Sequence, residues 1–115
     1  MTLFNFLSSG DGVNSLSYEE FKDMISKEKD ALLIDVRTLQ EFKQVRIPNS
    51  KLIDFHSSDF RDEITKLDKS KTYLIYCKSG HRSYHACREF KQLGFQKVFN
   101  LDGGIISWKG DVLKG

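Results

Sequence analysis

The stretch of this sequence with the clearest chemical potential is TYLIYCKSGHRS, residues 72–83. An apolar run ends at Cys77, and the next five residues, KSGHR, carry three basic side chains. A cysteine acts as a nucleophile only as the thiolate, which nearby cations, a helix N-terminus and converging backbone amides all stabilise. Gly80 favours a tight turn that gathers such amides, because glycine adopts positive φ without strain. The stretch therefore predicts a nucleophilic Cys77 followed by an anion-binding loop.

The other candidate site residues lie in that loop: Lys78, Ser79, Gly80, His81 and Arg82. His81 is a candidate general acid or base, although a single loop histidine is more often a surface residue. The helix predicted after the loop adds three more basic residues and one acidic residue, while the whole chain has a net charge of only +2. This local excess of positive charge favours a small anionic substrate over a nucleic acid or a membrane surface.

The second cysteine, Cys87, shares an apolar helical stripe with Ala86 and Phe90. We expect an inert core thiol. The alternative is a resolving cysteine that forms a disulfide with an oxidised or persulfidated Cys77. Two free cysteines suit a reducing compartment, and no apolar run approaches the ~20 residues of a spanning helix. With no basic, signal-like start at residues 1–10, these features predict a cytoplasmic protein.

Strands and helices alternate around the cysteine loop. Capping boxes predict helix starts at Ser17 and Thr38, Ser58 is a third candidate cap, and a helix of about ten residues is predicted from near Ser83. Apolar runs predict strands at 13–16, 31–36, 51–55, 72–76 and 97–101. This order predicts an α/β fold with a mainly parallel central sheet and helices on both faces. Cys77 then lies at the carboxyl edge, where such folds bind ligands.

The length of 115 residues fits one domain. We assign residues 13–115 to that domain and residues 1–12 to an N-terminal extension. The extension carries four large apolar side chains, Leu3, Phe4, Phe6 and Leu7. They suggest that the extension packs back onto the domain.

Four segments, in order, resemble the single-domain rhodaneses, or thiosulfate sulfurtransferases. They are LLIDVRTLQEF (32–42), RIPNSKLIDF (46–55), YLIYCKSGHRS (73–83) and GFQKVFNLDGGIISW (94–108). The third matches the family's active loop, Cys-x-x-Gly-x-Arg-Ser. The chain departs from the family at Val45-Arg46, where Gly-His is frequent, and at Asn49-Ser50, where Gly-Ala is frequent.

The resemblance implies a rhodanese-like fold and sulfur transfer through a persulfide on Cys77. Thiosulfate or a similar anion would donate the sulfur, and a thiol, cyanide or a protein acceptor would receive it, without a cofactor or metal ion. Lys78 and Arg82 would attract the anionic donor. The supporting residues would be Asp35, Arg37, Gly103 and Gly104. For Arg37 we expect an ion pair with Glu41, one helical turn on, and the alternative is direct contact with the substrate.

Two alternatives remain. Phosphatases and arsenate reductases of the same fold have a loop that is one residue longer between the cysteine and the arginine. Here four residues, 78–81, separate Cys77 from Arg82, and the tighter ring suits a single sulfur atom better than a phosphate. The other alternative is a non-catalytic binding or regulatory module, a role in which rhodanese-like domains have usually lost the cysteine.

Overall fold

The computed structural model describes residues 12–115. The predicted extension therefore lies outside the described residues, apart from Gly12. The elements, in chain order, are β1 (Asn14–Leu16), α1 (Tyr18–Lys27), β2 (Leu32–Asp35), α2 (Leu39–Gln44), β3 (Val45–Arg46), β4 (Ser50–Leu52), α3 (Phe60–Thr65), β5 (Tyr73–Tyr76), α4 (His81–Gln92), β6 (Val98–Leu101), a 3-10 turn (Ile105–Ser107) and β7 (Leu113–Lys114). No helix within this part of the chain has the length and apolar character needed to cross a membrane.

Five strands form one sheet in the order β1-β6-β5-β2-β4, and every neighbouring pair is parallel. All four residues of the central strand, Tyr73–Tyr76, are buried. Parallel strands buried on both faces are the arrangement that continuous apolar runs predict. The predicted parallel α/β fold is confirmed.

The side chains of the central strand alternate between two cores. Tyr73 and Ile75 pack on one face with residues of α3 and α4. Leu74 and Tyr76 pack on the other face with residues of α1 and with Trp108, which follows the 3-10 turn. Helices therefore cover both faces of the sheet, as the sequence predicts.

Both predicted capping boxes are present, at Ser17 with Glu20 and at Thr38 with Glu41. The prediction that Ser58 caps α3 is wrong. The helix begins one residue later, behind Asp59, because the Ser57 hydroxyl accepts a hydrogen bond from the Asp59 amide and holds the preceding turn.

The helix after the cysteine loop also differs from the prediction. It begins at His81, two residues before Ser83, and has 12 residues. Gly80 stands at its N-cap with φ of 101°, so the chain turns directly from the loop into the helix. The last loop residues of the prediction, His81 and Arg82, therefore lie in the first helical turn.

A small antiparallel ribbon, formed by β3 and β7, was not predicted. Strands of two residues leave no periodic pattern in a sequence. Beside the ribbon, Asn49 adopts φ of 68° in a turn closed by the Ser50 amide and the Ile47 carbonyl. Asparagine tolerates this left-handed conformation better than most residues, which explains how it replaces the glycine frequent in the resembling family.

Candidate functional site

The site is built around Cys77, which follows the central strand directly and is only 1% exposed. The Gly80 amide donates a hydrogen bond to Cys77 Sγ at 3.1 Å. The Ser83 hydroxyl, in the first turns of α4, lies 3.3 Å from the same sulfur. A backbone amide thus donates to the sulfur and a hydroxyl lies beside it, both at the beginning of a helix, an arrangement that favours an anion there.

A second turn, Gly103-Gly104 at the end of β6, fixes the loop backbone from outside. The Ile105 amide donates to the Cys77 carbonyl at 2.9 Å, and the Ile106 amide donates to the Lys78 carbonyl at 3.2 Å. A Cβ added at Gly104 would lie 2.2 Å from the Lys78 carbonyl oxygen. At Gly104 the turn therefore approaches the loop as closely as only glycine permits, whereas a Cβ added at Gly103 would meet the Ser107 side chain.

Arg82 does not face open solvent with an unpaired charge. Its two terminal nitrogens lie 2.8 and 3.0 Å from the two carboxylate oxygens of Glu41. Glu41 Oε1 also accepts from the Thr38 amide, so the capping box of α2 holds the loop arginine. The Arg82 hydrogen bond is the main reason that the pKa of Glu41 is lowered to about 2.

The expected ion pair between Arg37 and Glu41 is wrong. Arg37 instead binds Asp35, through Nε at 3.0 Å and through a terminal nitrogen at 2.7 Å, and it also donates to the Val45 carbonyl. Both side chains of the pair are buried. Arg37 lies in a bend directly after β2, where its backbone amide also donates to Asp35 Oδ1 at 2.9 Å, and this bend brings the two side chains together. Because Asp35 is in register with Tyr76, the pair supports the strand end next to Cys77.

The remaining loop side chains make fewer contacts. Lys78 and Ser79 are exposed, and within residues 12–115 no ion pair to Lys78 is found. His81 is exposed and packs edge-on against the His85 ring, 4.9 Å away, one turn along α4. Its expected role as an acid or base gains no direct support, because no hydrogen bond joins it to the sulfur in the described part of the chain.

Cys87 is fully buried in the core between the sheet and α4, as predicted for a core thiol. Burial raises its pKa far above the ordinary range, and the nearby Cys77 adds to the rise. Cys87 therefore stays protonated under ordinary conditions, which makes it a poor nucleophile for disulfide exchange.

Asn100 is the site residue that the sequence analysis missed. It lies in β6, is 3% exposed, and its Oδ1 lies 2.5 Å from Ser83 Oγ. Its Nδ2 donates to Ser15 Oγ at 3.1 Å and to the Gly80 carbonyl at 3.4 Å. The signal was available: an amide in the middle of the apolar strand Val98–Leu101 needs buried partners.

Comparison with known proteins shows which family the sequence and the fold belong to. The family model described as "Rhodanese-like domain" matches residues 17–111. A sulfurtransferase from Allochromatium vinosum is 38% identical over 96 residues, which are 84% of this chain and 88% of that protein. A thiosulfate sulfurtransferase from Pseudomonas savastanoi is 36% identical over 83 residues, 72% of this chain and 76% of that protein. The crystal structure of a rhodanese-like domain protein from Staphylococcus aureus superposes with a TM-score of 0.73 at 29% identity, covering 84% of this chain and 92% of that one.

Proposed function

Since the chain belongs to the rhodanese-like family of sulfurtransferases, we propose that it transfers a sulfane sulfur through a persulfide on Cys77. The observation that carries this proposal is the position of the Gly80 amide and the Ser83 hydroxyl, 3.1 and 3.3 Å from Cys77 Sγ. These donors suit a sulfur that must carry negative charge twice, first as a thiolate and then in the persulfide.

In the first step, the Cys77 thiolate attacks the outer sulfur of thiosulfate. A new S–S bond forms, the S–S bond of thiosulfate breaks, and its electron pair leaves with sulfite. The protein then carries a persulfide anion. Thiosulfate is proposed as the donor because one relative, from Pseudomonas savastanoi, is a thiosulfate sulfurtransferase.

In the second step, an acceptor thiolate or cyanide attacks the outer sulfur of the persulfide. The bond to Cys77 Sγ breaks and the Cys77 thiolate is regenerated, so that a thiol becomes a persulfide and cyanide becomes thiocyanate. We propose a small thiol or a protein thiol as the cellular acceptor. No cofactor is needed, because both steps are displacements at sulfur without net oxidation.

The two basic side chains Lys78 and Arg82 have different roles in this proposal. Arg82 is bound to Glu41 by two hydrogen bonds, so it holds the loop in shape and its charge is largely balanced. Lys78 is exposed and carries no such partner among the described residues. We therefore assign the attraction of the donor's sulfonate group mainly to Lys78, and the stabilisation of the outer persulfide sulfur to the loop amides, residues 78–82.

The experiment is intact-protein mass spectrometry after incubation with thiosulfate. We expect one added sulfur atom, its removal by cyanide with formation of thiocyanate, and no adduct on Cys77→Ser. Cys87→Ala is the matched control and should still load one sulfur, because Cys87 is buried in the core.

Two results would contradict the proposal. Absence of the adduct on a folded protein would leave the binding module as the better interpretation, especially if Cys77→Ser kept full cellular function. Hydrolysis of an aryl phosphate that required Cys77, without any thiocyanate formation, would favour a phosphatase.

A further inference from the structure

Asn100 contacts both residues that face the Cys77 sulfur, the hydroxyl of Ser83 itself and the carbonyl, not the amide, of Gly80. It lies 2.5 Å from the Ser83 hydroxyl and 3.4 Å from the carbonyl of Gly80. Its Nδ2 also donates to the hydroxyl of Ser15 at 3.1 Å, and Ser15 is an exposed residue of the edge strand β1. A continuous chain of polar side chains thus runs from the surface at Ser15, through Asn100 and Ser83, to the buried sulfur of Cys77.

The number of protons on these side chains limits which group can donate a hydrogen bond to which. A hydroxyl has a single proton to donate, yet Ser83 Oγ lies within reach of two acceptors, Asn100 Oδ1 and Cys77 Sγ. The shorter contact, to Asn100, takes that proton in the observed arrangement. A neutral Cys77 thiol is then satisfied by donating its own proton to Ser83 Oγ. A thiolate has no proton to give and needs the one that Asn100 holds.

We propose that the Asn100 amide turns over when Cys77 ionises and thereby directs the Ser83 proton to the sulfur. Rotation by about 180° exchanges an amide's oxygen and nitrogen at similar positions. Nδ2 then donates to Ser83 Oγ, Ser83 donates to the thiolate, and the Ser15 hydroxyl donates to Oδ1. The proton released by the thiol passes to solvent water.

The surrounding backbone permits both orientations of Asn100. When Nδ2 turns away, the Gly80 carbonyl still accepts a hydrogen bond from the Tyr84 amide at 3.1 Å. In the turned state Ser15, Ser83 and the Gly80 carbonyl keep partners, but the second Nδ2 proton has none among the described residues and Oδ1 lies close to the Gly80 carbonyl oxygen. The turned state is therefore preferred only when the thiolate accepts the charge-assisted hydrogen bond from Ser83, which offsets this cost. Asn100 acts as a positioning residue through Ser83, and the proposal rests on Cys77 being the nucleophile of the proposed function.

Other ionisable groups also act on the Cys77 sulfur, and they are unaffected by a turn of Asn100. Arg82 interacts with it electrostatically from α4, and Cys87 does so from the same helix. Among the described residues, further charged and titratable groups lie around the loop, and they include Lys78, His81 with its neighbour His85, the Arg82 partner Glu41, and the buried pair Asp35 and Arg37.

The test is the rate at which iodoacetamide modifies Cys77 between pH 5 and pH 10, read from tryptic peptides. Cleavage after Lys71, Lys78 and Arg82 separates the two cysteines. Asn100→Asp keeps the shape of the side chain but only accepts hydrogen bonds, so it holds the Ser83 proton away from the sulfur. We expect the midpoint of the pH profile to rise by about one unit, which is about a tenfold slower reaction at pH values well below the midpoint.

A double-mutant cycle separates this effect from simple charge repulsion. In a Ser83→Ala background the same Asn100→Asp change should raise the midpoint by clearly less, because like-charge repulsion remains but no hydroxyl proton is left to be directed. A shift of the same size in that background would overturn the proposal, as would an unchanged midpoint in Asn100→Asp alone. Asn14→Asp, on the edge strand β1, is the matched control, because it introduces the same charge outside the series of polar side chains that leads to Cys77.

Asn100→Leu covers the case in which a buried aspartate prevents folding. Leucine has a similar size and removes the acceptor that competes for the Ser83 proton, so the midpoint should stay the same or fall. A raised midpoint in folded Asn100→Leu would show that Asn100 only supports the loop mechanically and would overturn the proposal. None of these measurements uses a sulfur donor, so their failure is distinct from a failure of the proposed sulfur transfer.

Discussion

Arg82 of the cysteine loop and Glu41 of α2 form a bidentate ion pair, with nitrogen–oxygen distances of 2.8 and 3.0 Å. The pair connects the first turn of α4 to the first turn of α2. Glu41 is at the same time the capping-box residue of its own helix. The same carboxylate thus caps α2 and holds the arginine of the cysteine loop.

This pair predicts a stability change at acidic pH. The pKa of Glu41 is lowered to about 2 in the folded protein, whereas the unfolded group titrates near its ordinary value, so the unfolded state binds more protons in between. The stabilisation is therefore complete above the ordinary glutamate pKa and is lost as the pH falls toward 2. Glu41→Gln should lower the free energy of unfolding by roughly 1 kcal/mol at pH 6, because the pair is partly exposed and screened.

Urea unfolding of both proteins from pH 6 to pH 2 checks this prediction. The difference between wild type and Glu41→Gln should shrink as the pH falls. Glu20→Gln is the matched control, since Glu20 belongs to the other capping box. An equal difference at every pH would contradict the role of the ion pair.

The close approach of the Gly-Gly turn predicts a strong effect of Gly104→Ala. Gly104 has φ of 66°, and its added Cβ would meet the Lys78 carbonyl carbon and oxygen at 2.4 and 2.2 Å. We expect a loss of stability of at least ~2 kcal/mol, from backbone strain and overpacking together, and a large drop in sulfur loading. Gly94→Ala introduces a comparable backbone strain, since φ is 97°, but its added Cβ would meet only the flexible Lys69 side chain at 3.8 Å.

Thermal unfolding and thiosulfate loading of these two variants give the comparison. Gly94→Ala should be moderately destabilised and should load sulfur normally. Equal loading by Gly104→Ala would show that the turn does not determine the shape of the loop.

The buried ion pair of Asp35 and Arg37 predicts that lysine cannot replace Arg37. Lysine lacks the planar fork that binds Asp35 twice and the Val45 carbonyl at the same time. Arg37→Lys should cost about 2–4 kcal/mol of unfolding free energy, because a buried carboxylate then loses part of its compensation. Denaturant unfolding measures the loss, and Lys27→Ala, which removes the exposed pair with Asp23, should cost under ~1 kcal/mol. Similar costs for the two variants would contradict this interpretation.

The exposed Lys78 predicts a charge effect on donor binding. Lys78→Gln should raise the KM for thiosulfate severalfold with little change in kcat, because the lysine attracts the dianion before the chemical step. Added salt should weaken the effect, since screening reduces attraction between exposed charges. Steady-state thiocyanate formation at two ionic strengths is the measurement, with Lys109→Gln as the control at a distance along the chain. An effect on kcat alone would place Lys78 in the chemical step instead.

The sequence predicted the fold well, for local reasons. Apolar runs, capping boxes and glycines act within a few residues of chain, so the five-strand parallel sheet and the first two helices followed from them. The short ribbon of β3 and β7 could not be predicted in this way, since its pairing joins residues 45–46 to residues 113–114. The start of α4 was misplaced because the left-handed Gly80 begins the helix without a side-chain cap.

By itself the sequence determined that Cys77 ends a buried strand, that a glycine turn follows it, and that basic residues surround it. These are properties of neighbouring residues and of the strand pattern. Only the tertiary structure decided which partner each charged or polar group has: Glu41 binds Arg82 and not Arg37, and Asn100 of β6 meets Ser83 of α4. Hydrogen bonds and ion pairs depend on distances of a few ångströms between residues far apart in sequence, and chain spacing does not encode those distances.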